Sequence, residues 1–188
     1  MKRIHQFCFI LLSIVFFRCE PEPDLARQFV IEKGEHYATP RLVETLQSNR
    51  LTFTAKFGPS CQYTFVETGF QDSKNKLLGF ADCNSLHHEN SARFAWQWLH
   101  DRLEIFAYCY VDGARVEQFI TVVELNQENQ YEIQLLEDAY MFSVNNQEPI
   151  KIERGTACRT GVYYTLWPYF GGTLPAPHDI HLAIQIQY

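Results

Sequence analysis

Two histidine-rich clusters are the most distinctive polar features of this sequence. The first is His87-His88-Glu89-Asn90 and the second is His178-Asp179. Their imidazole and carboxylate groups have the chemistry to bind a metal ion or to exchange protons with a substrate. The alternative is that both clusters are polar turns whose side chains hydrogen-bond to backbone groups.

The two clusters are expected to share one site if the protein has one. Residues 171–179 contain two glycines and two prolines, which make the loop stiff enough to present polar groups. We expect this loop to lie beside residues 82–91. The alternative is that it only turns a corner between sheets. The predicted binding residues are His87, His88, Glu89, Arg93, Trp167, His178 and Asp179.

A row of aromatic residues precedes the first clear hairpin. Phe94, Trp96 and Trp98 alternate along one strand and therefore share a face. An exposed row of this kind would stack against sugar rings, whereas a buried row would be part of the core. In the buried case, Arg93 and Gln97 on the opposite face are expected to point to solvent.

Other catalytic motifs are absent from the sequence. Glycoside hydrolysis uses two carboxyl groups held across a groove, but Glu104 and Asp112 are alone on their predicted strands, and Glu117 and Glu124 fall on opposite faces. The sequence contains no C-x-x-C, H-E-x-x-H, G-x-S-x-G or phosphate-binding loop. We therefore predict no metal and no cofactor and lean towards a protein that is not an enzyme. If it is an enzyme, His87, His88, Arg93 and His178 are the candidate residues.

The elements that must position these residues are β-strands. Short apolar or alternating runs recur every eight to twelve residues between turn signals, the strongest of which is Asp112-Gly113. The last run alternates strictly from Ile180 to Gln187 and is expected to close the fold. The sequence predicts an all-β, two-sheet antiparallel sandwich of jelly-roll or concanavalin-like type. Strands are predicted at 28–33, 50–57, 62–67, 77–81, 93–99, 103–111, 115–125, 131–136, 140–144, 150–153, 162–170 and 180–187, with 41–47 ambiguous between helix and strand.

The N-terminal segment has the pattern of an export signal. A basic start precedes an apolar run that is too short to span a bilayer and ends at Arg18-Cys19. We predict a signal peptide at 1–18, an acidic tether at 19–27 and a single sandwich domain at 28–188. Cys19 is the expected lipidation site, the alternative being secretion without a lipid. The protein is then expected at the cell envelope, as an outer-membrane or cell-surface lipoprotein, or else as a periplasmic or secreted protein.

Charge and cysteine content restrict the partners. The formal net charge is −6, and there is no basic stripe, which argues against nucleic acid. The mature domain contains Cys61, Cys83, Cys109 and Cys158. Four cysteines allow three disulfide pairings, and buried thiols are the alternative, especially for Cys109 in its apolar strand.

Three segments carry a family resemblance. HHENSARFAWQW, LEIFAYCYVDGARV and LWPYFGGTLPAPHDI resemble a family of exported Bacteroidota lipoproteins whose activity is not established. The run YEIQLLEDAYMFSVNNQEPI is similar to strands of concanavalin-like sandwiches, which include lectins and glycan-degrading enzymes. The second resemblance implies an architecture and does not by itself imply a function.

Three functions follow as hypotheses. The first is a non-catalytic binding module, with a glycan as the expected ligand. The second is a glycan-active hydrolase or lyase, and the third is a structural subunit of an envelope assembly that binds another envelope protein. A flat exposed aromatic face would favour the first, a convergent polar groove the second, and a large apolar patch the third.

Overall fold

The strands account for most of the fold. The computed structural model describes residues 26–155 and 163–187. Within those residues there is one short 3-10 helix, Pro59–Cys61. The strands are β1 Arg27–Ile31, β2 Ala38–Thr39, β3 Thr45–Leu46, β4 Arg50–Phe57, β5 Asn75–Ala81, β6 Ser91–Leu99, β7 Arg102–Val111, β8 Ala114–Val123, β9 Glu128–Leu135, β10 Ala139–Val144, β11 Ile150–Glu153, β12 Tyr163–Leu166 and β13 Ile180–Gln187.

The strands form two sheets that pack face to face. The seven-stranded sheet has the order β11-β10-β9-β4-β13-β1-β2, and the six-stranded sheet has the order β3-β12-β5-β6-β7-β8. The strand pairs are antiparallel, as in the β1–β13 and β6–β7 pairs. The predicted two-sheet antiparallel sandwich is therefore confirmed. The predicted signal peptide and Cys19 lie outside the described residues, and so does Cys158.

The last strand joins the two halves of the larger sheet. β13 lies between β4 and β1. Its alternation places Ile180, Leu182 and Ile184 in the core, each no more than 2% exposed. The predicted closing strand is thus observed, and it occupies the interior of the sheet and not an edge.

Aromatic side chains from both sheets fill the space between them. Phe53 of β4 meets Phe94 of β6 with ring centroids 5.9 Å apart, and Phe57 meets Trp96 at 5.5 Å. Burying a side chain of this size stabilises the fold by roughly 2–3 kcal/mol. The row containing Phe94 and Trp96 is therefore core and not an exposed sugar platform. Arg93 and Gln97, on the opposite face, were expected to point to solvent, but they are only 6% and 2% exposed.

Three predicted elements differ in the structure, and the first is the strand predicted at 162–170, of which only β12, Tyr163–Leu166, is a strand in the described residues. Residues 62–67 form no strand, because Gln71 meets their backbone groups: its amide oxygen accepts from Phe65 N, and its amide nitrogen donates to Tyr63 O, at 2.9 Å each. These bonds replace the strand ladder, and Tyr63 still packs in the core. Residues 41–47 are mostly loop and contain only the two-residue β3. The predicted Asp112-Gly113 hairpin is present, with φ of 49° and 81°.

A buried ion pair ties the end of β5 to the residue after β11. Arg154 Nε donates to Asp82 Oδ2 at 2.6 Å, and Arg154 Nη2 donates to Asp82 Oδ1 at 2.8 Å. The Tyr140 hydroxyl donates to the same carboxylate at 2.6 Å. Since the ion pair is almost fully buried, losing either partner would leave an uncompensated charge in the core. This cluster joins the two sheets at one end of the sandwich.

Cys61 and Cys109 are core residues. Both are completely buried as thiols, and burial raises the pKa of each well above its ordinary value. The buried-thiol alternative therefore holds for these two cysteines. Among the residues that the structure describes, no helix has the length and the apolar character needed to cross a membrane.

Candidate functional site

A groove of about 520 Å³ opens on the outer face of the six-stranded sheet. Its floor is formed by β5, β6 and β7, and its walls come from the segments around β2, β12 and the 82–91 loop. A volume of this size lies within the range of small-ligand pockets. The described residues that line it are Tyr37, Ala38, Arg41, Leu42, Val43, Lys76, His87, His88, Arg93, Tyr108, Thr165, Leu166, Trp167, Pro168 and Tyr169.

Arg93 lies at the centre of the floor. It pairs with Gly79 of β5 on one side and with Tyr108 of β7 on the other. A Cβ atom at Gly79 would overlap the Ala92 carbonyl oxygen and lie 2.7 Å from Arg93 Cγ, so only glycine leaves room for the arginine. The guanidinium carbon lies 5.4 Å from the Tyr108 ring centroid. Arg93 is 6% exposed, and its Nε atom is buried without a hydrogen-bond partner.

Lys76 lies beside Arg93, at the start of β5. Its Nζ atom is 4.5 Å from the Tyr108 ring centroid and donates to the Lys74 carbonyl oxygen at 2.6 Å. Gly171 packs closely on this corner, where a Cβ atom would lie 2.8 Å from Lys76 Nζ. Burial, and then the positive charge of Arg93, lowers the pKa of Lys76 to about 8. A fraction of this lysine is therefore neutral near physiological pH.

One wall of the groove is aromatic and is attached to β5 through the backbone. Lys76 N donates to Tyr169 O at 2.8 Å, and Tyr169 N donates back to Lys76 O at 3.1 Å. The Tyr169 ring meets the Tyr37 ring edge-on at 5.1 Å, and the Arg41 guanidinium lies 4.5 Å from the Tyr37 ring centroid. Tyr37 is 55% exposed, which leaves its ring available to a ligand.

The opposite wall carries the two adjacent histidines. The His87 and His88 ring centroids are 4.0 Å apart, and the His88 ring meets Tyr110 of β7 edge-on at 5.3 Å. Burial, and then the positive charge of Arg93, lowers the pKa of His87 to about 4. His87 is therefore neutral at pH 7 and is able to accept or donate a hydrogen bond without adding charge.

The structure brings together some of the predicted site residues and separates others. His87, His88, Arg93 and Trp167 line the groove, and Trp167 also stacks on Phe29 at 5.4 Å. Glu89 does not line the groove.

The second predicted cluster lies elsewhere. His178 Nε2 is 2.8 Å from the Ser60 carbonyl oxygen, and Asp179 Oδ1 accepts from Lys33 N at 2.8 Å. Neither residue lines the groove. These two side chains contact backbone groups, as the polar-turn alternative predicted. The described residues that line the groove therefore include His87 and His88 of the first cluster and neither residue of the second.

The groove is positively charged although the chain is acidic overall. Arg41, Lys76 and Arg93 contribute cations, and none of the described lining residues carries a carboxylate. The floor strands carry one acid, Glu104, which accepts hydrogen bonds from Gln97 at 2.6 Å and Arg102 at 2.7 Å, and Glu117 lies on the adjacent strand β8, opposite Tyr108. Such an arrangement has the charge to favour a small anion and the aromatic rings to pack around it.

Lys76, Tyr37 and Arg41 are among the groove residues that were not predicted from the sequence. Lys76 lies at the start of an apolar strand, and a single lysine in such a strand could have indicated a functional position, because lysine is seldom buried. Tyr37 and Arg41 lie in a stretch without hydrophobic periodicity, and only their pairing with distant residues brings them to the groove. Within the described part of the chain, no group of three or more His, Cys, Asp or Glu side chains is placed to hold a metal ion.

Comparison with known proteins identifies the fold. No protein family and no curated protein matches the sequence. The alginate lyase AlyC3 in complex with dimannuronate has a TM-score of 0.58 at 8% identity, covering 86% of this chain and 73% of the other. The laminarinase catalytic domain from Thermotoga maritima has a TM-score of 0.58 at 10% identity, covering 86% and 75%. A Bacteroides ovatus mixed-linkage glucan GH16 protein with a bound G4G4G3G product has a TM-score of 0.53 at 9% identity, covering 89% and 84%. This chain thus has the jelly-roll, concanavalin-like sandwich architecture of these proteins.

Proposed function

We propose that this protein binds an acidic glycan in the groove on its six-stranded sheet. The observation that carries the proposal is Arg93, a buried arginine with an unpartnered Nε atom in a groove whose described lining residues include no carboxylate. Buried polar groups are normally hydrogen-bonded, so a ligand acceptor would complete the site. A sugar carboxylate fits an arginine in geometry and charge.

The rest of the groove suits a sugar ring. Tyr37, Tyr108 and Tyr169 offer ring faces and hydroxyl groups, and His87 offers an uncharged hydrogen-bonding group. The solved structures of similar fold include a complex with dimannuronate and one with a glucan product. Those ligands agree with a glycan, and the charge of this groove favours an acidic one.

The test is calorimetric titration with an acidic and a neutral oligosaccharide, oligomannuronate and laminarin oligosaccharide. We expect binding of the acidic ligand that weakens as salt is added, because the contact is electrostatic. Arg93→Gln should weaken it about tenfold to a hundredfold, which is the effect expected for one charged hydrogen-bond partner. Arg50→Gln, which alters an exposed arginine on the other sheet, is the matched control. Equal binding of the neutral sugar, or no effect of Arg93→Gln, would contradict the proposal.

A second candidate is cleavage of the acidic glycan by β-elimination. It is favoured by Lys76, whose pKa of about 8 makes a neutral amine available beside the cation that would hold the carboxylate. The amine would take the proton from the carbon next to that carboxylate, a carbon–carbon double bond would form, and the glycosidic bond would break with its electrons leaving on oxygen. Hydrolysis by a carboxyl pair has less support, because the described lining residues include no acid.

The two candidates are separated by one assay. Elimination produces an unsaturated uronate that absorbs ultraviolet light, whereas binding alone produces no such product. Lys76→Met should abolish any absorbance increase. Absence of the increase with a ligand that binds would assign the protein to the non-catalytic class.

We also propose export and lipidation at Cys19, which places the groove at the cell envelope, on the basis of the leader sequence and the family resemblance. Cys19→Ala should release the protein from the membrane fraction. Continued membrane association of this variant would contradict the proposal.

A further inference from the structure

A second, smaller cavity adjoins the groove on the same outer face. Its volume is about 250 Å³, and Lys76 and Tyr108 line both it and the groove. Arg115 and Glu117 of β8 line its far side. A ligand that extends past Tyr108 would therefore enter this cavity.

The strand register defines the direction of such a ligand. Arg93, Tyr108 and Glu117 are directly paired across β6, β7 and β8, so their side chains share the outer face. Neighbouring strands lie about 4.8 Å apart, which separates the backbone of Arg93 from that of Glu117 by about 10 Å. A chain of two or more sugar units crossing the strands would contact Arg93 with one unit and Glu117 with another.

The charges of the two compartments differ. The cavity contains the carboxylates of Glu117 and Asp72, whereas the described lining of the groove contains none. Two cations line the cavity without lining the groove: Arg115, which pairs with Glu117 at 3.1 Å, and Lys74, whose Nζ atom donates to Gln97 Oε1 at 2.8 Å. They equal the two carboxylates in number. A second sugar carboxylate arriving here would meet this balanced set of charges, and the cation in excess among the described lining residues, Lys76, is shared with the groove and with the first carboxylate.

We propose that the small cavity receives an uncharged sugar unit. The protein would then bind a glycan in which a neutral unit follows an acidic one more tightly than a polymer made only of uronates. The inference rests on the proposed function, since it extends the same ligand. The Glu117 carboxylate accepts hydrogen bonds and the adjacent Arg115 guanidinium donates them. This pair suits the neighbouring hydroxyl groups of a neutral sugar, and Tyr108 provides a ring face between the two units.

The test compares ligands of equal length by calorimetric titration at low salt. Oligosaccharides of hyaluronan and unsulfated chondroitin alternate an acidic and a neutral unit, whereas oligomannuronate carries an acid on every unit. We expect at least one alternating ligand to bind about tenfold more tightly than oligomannuronate. Glu117→Gln should improve oligomannuronate binding about fivefold by removing a partly neutralised like charge, without improving the alternating ligand. Glu153→Gln, at an exposed position on β11, should change neither.

Each result bears on the inference. If oligomannuronate binds as tightly as both alternating ligands, or if Glu117→Gln leaves its affinity unchanged, the selection is overturned while the acidic-glycan proposal stands. If no acidic ligand binds, both are overturned. The comparison of ligands uses the unmodified protein, so it remains decisive even if a variant fails to fold.

Discussion

Lys76 should make the stability of this protein depend on pH in a defined direction. The amine is buried against Tyr108 and Arg93, and its pKa falls from 10.5 to about 8. The unfolded chain therefore holds this proton more tightly than the folded protein does. At pH 7 the charged lysine costs the folded state about 3 kcal/mol, and this cost disappears as the pH rises from 8 to 10.5.

Replacing Lys76 by Met removes the charge and keeps most of the side-chain volume. The variant should gain stability relative to the wild type at pH 7, and that gain should shrink by about 2–3 kcal/mol when both are measured at pH 10. Packing of the methionine contributes an amount to the free energy of unfolding that does not depend on pH. The prediction therefore concerns how the stability difference between the variant and the wild type changes from pH 7 to pH 10. Urea unfolding followed by tryptophan fluorescence at the two pH values measures it.

The control is Lys56→Met, at an exposed position on β4. Its charge is solvated in both states, so its difference from the wild type should stay constant between pH 7 and pH 10. If Lys76→Met shows the same constant difference, the lysine is not destabilised by burial and the reasoning fails. If Lys76→Met is more stable than the wild type and binds the acidic glycan more weakly, the charge of Lys76 contributes to ligand binding and lowers the stability of the fold.

Three further results are expected. Gly79→Ala should force β5 and β6 apart at this point, because its Cβ atom would overlap the Ala92 carbonyl oxygen. We expect a lower melting temperature and acidic-glycan binding weakened about tenfold or more, as thermal melting and titration would report; unchanged stability and affinity would contradict the close approach. Asp82→Asn should lower the free energy of unfolding by about 3–5 kcal/mol, because it leaves the buried Arg154 charge unpaired; urea unfolding at pH 7 measures this, and a loss below about 1 kcal/mol would refute it. The lowered pKa of His87 means that the folded state loses stability as the pH falls from 6.5 towards 4, so His87→Asn should reduce the loss, and identical acid unfolding curves would argue against it.

The architecture was predictable because its signals are local. Alternation along a strand has a period of two, so Ile180 to Gln187 could be assigned from sequence alone. The Asp112-Gly113 turn demands positive φ at both positions, which few other dipeptides tolerate. The strand predicted at 62–67 is wrong because backbone groups of this segment are satisfied by the Gln71 side chain, an interaction that has no periodic signature.

The groove was only partly predictable because it depends on pairing between distant segments. His87 and Arg93 belong to one loop and strand, and the sequence could associate them. Lys76 joins them through the β5–β6 pairing, and Tyr169 joins through a backbone bridge to Lys76. His178 stood out equally in the sequence, but its ring is within hydrogen-bond distance of the Ser60 carbonyl oxygen. Unusual composition therefore did not distinguish a groove histidine from one at a turn.

The two faces of β6 give this fold a practical use in protein engineering. Phe94 and Trp96 pack in the core between the sheets, while Arg93, which directly precedes Phe94 in the sequence, faces the groove. Ligand-facing positions on β6, β7 and β8 can be randomised as a library while every second residue is held fixed. Selection for new sugar specificities would then proceed on a scaffold whose interior is unchanged, apart from positions such as Gly79 where the groove and the backbone share the same space.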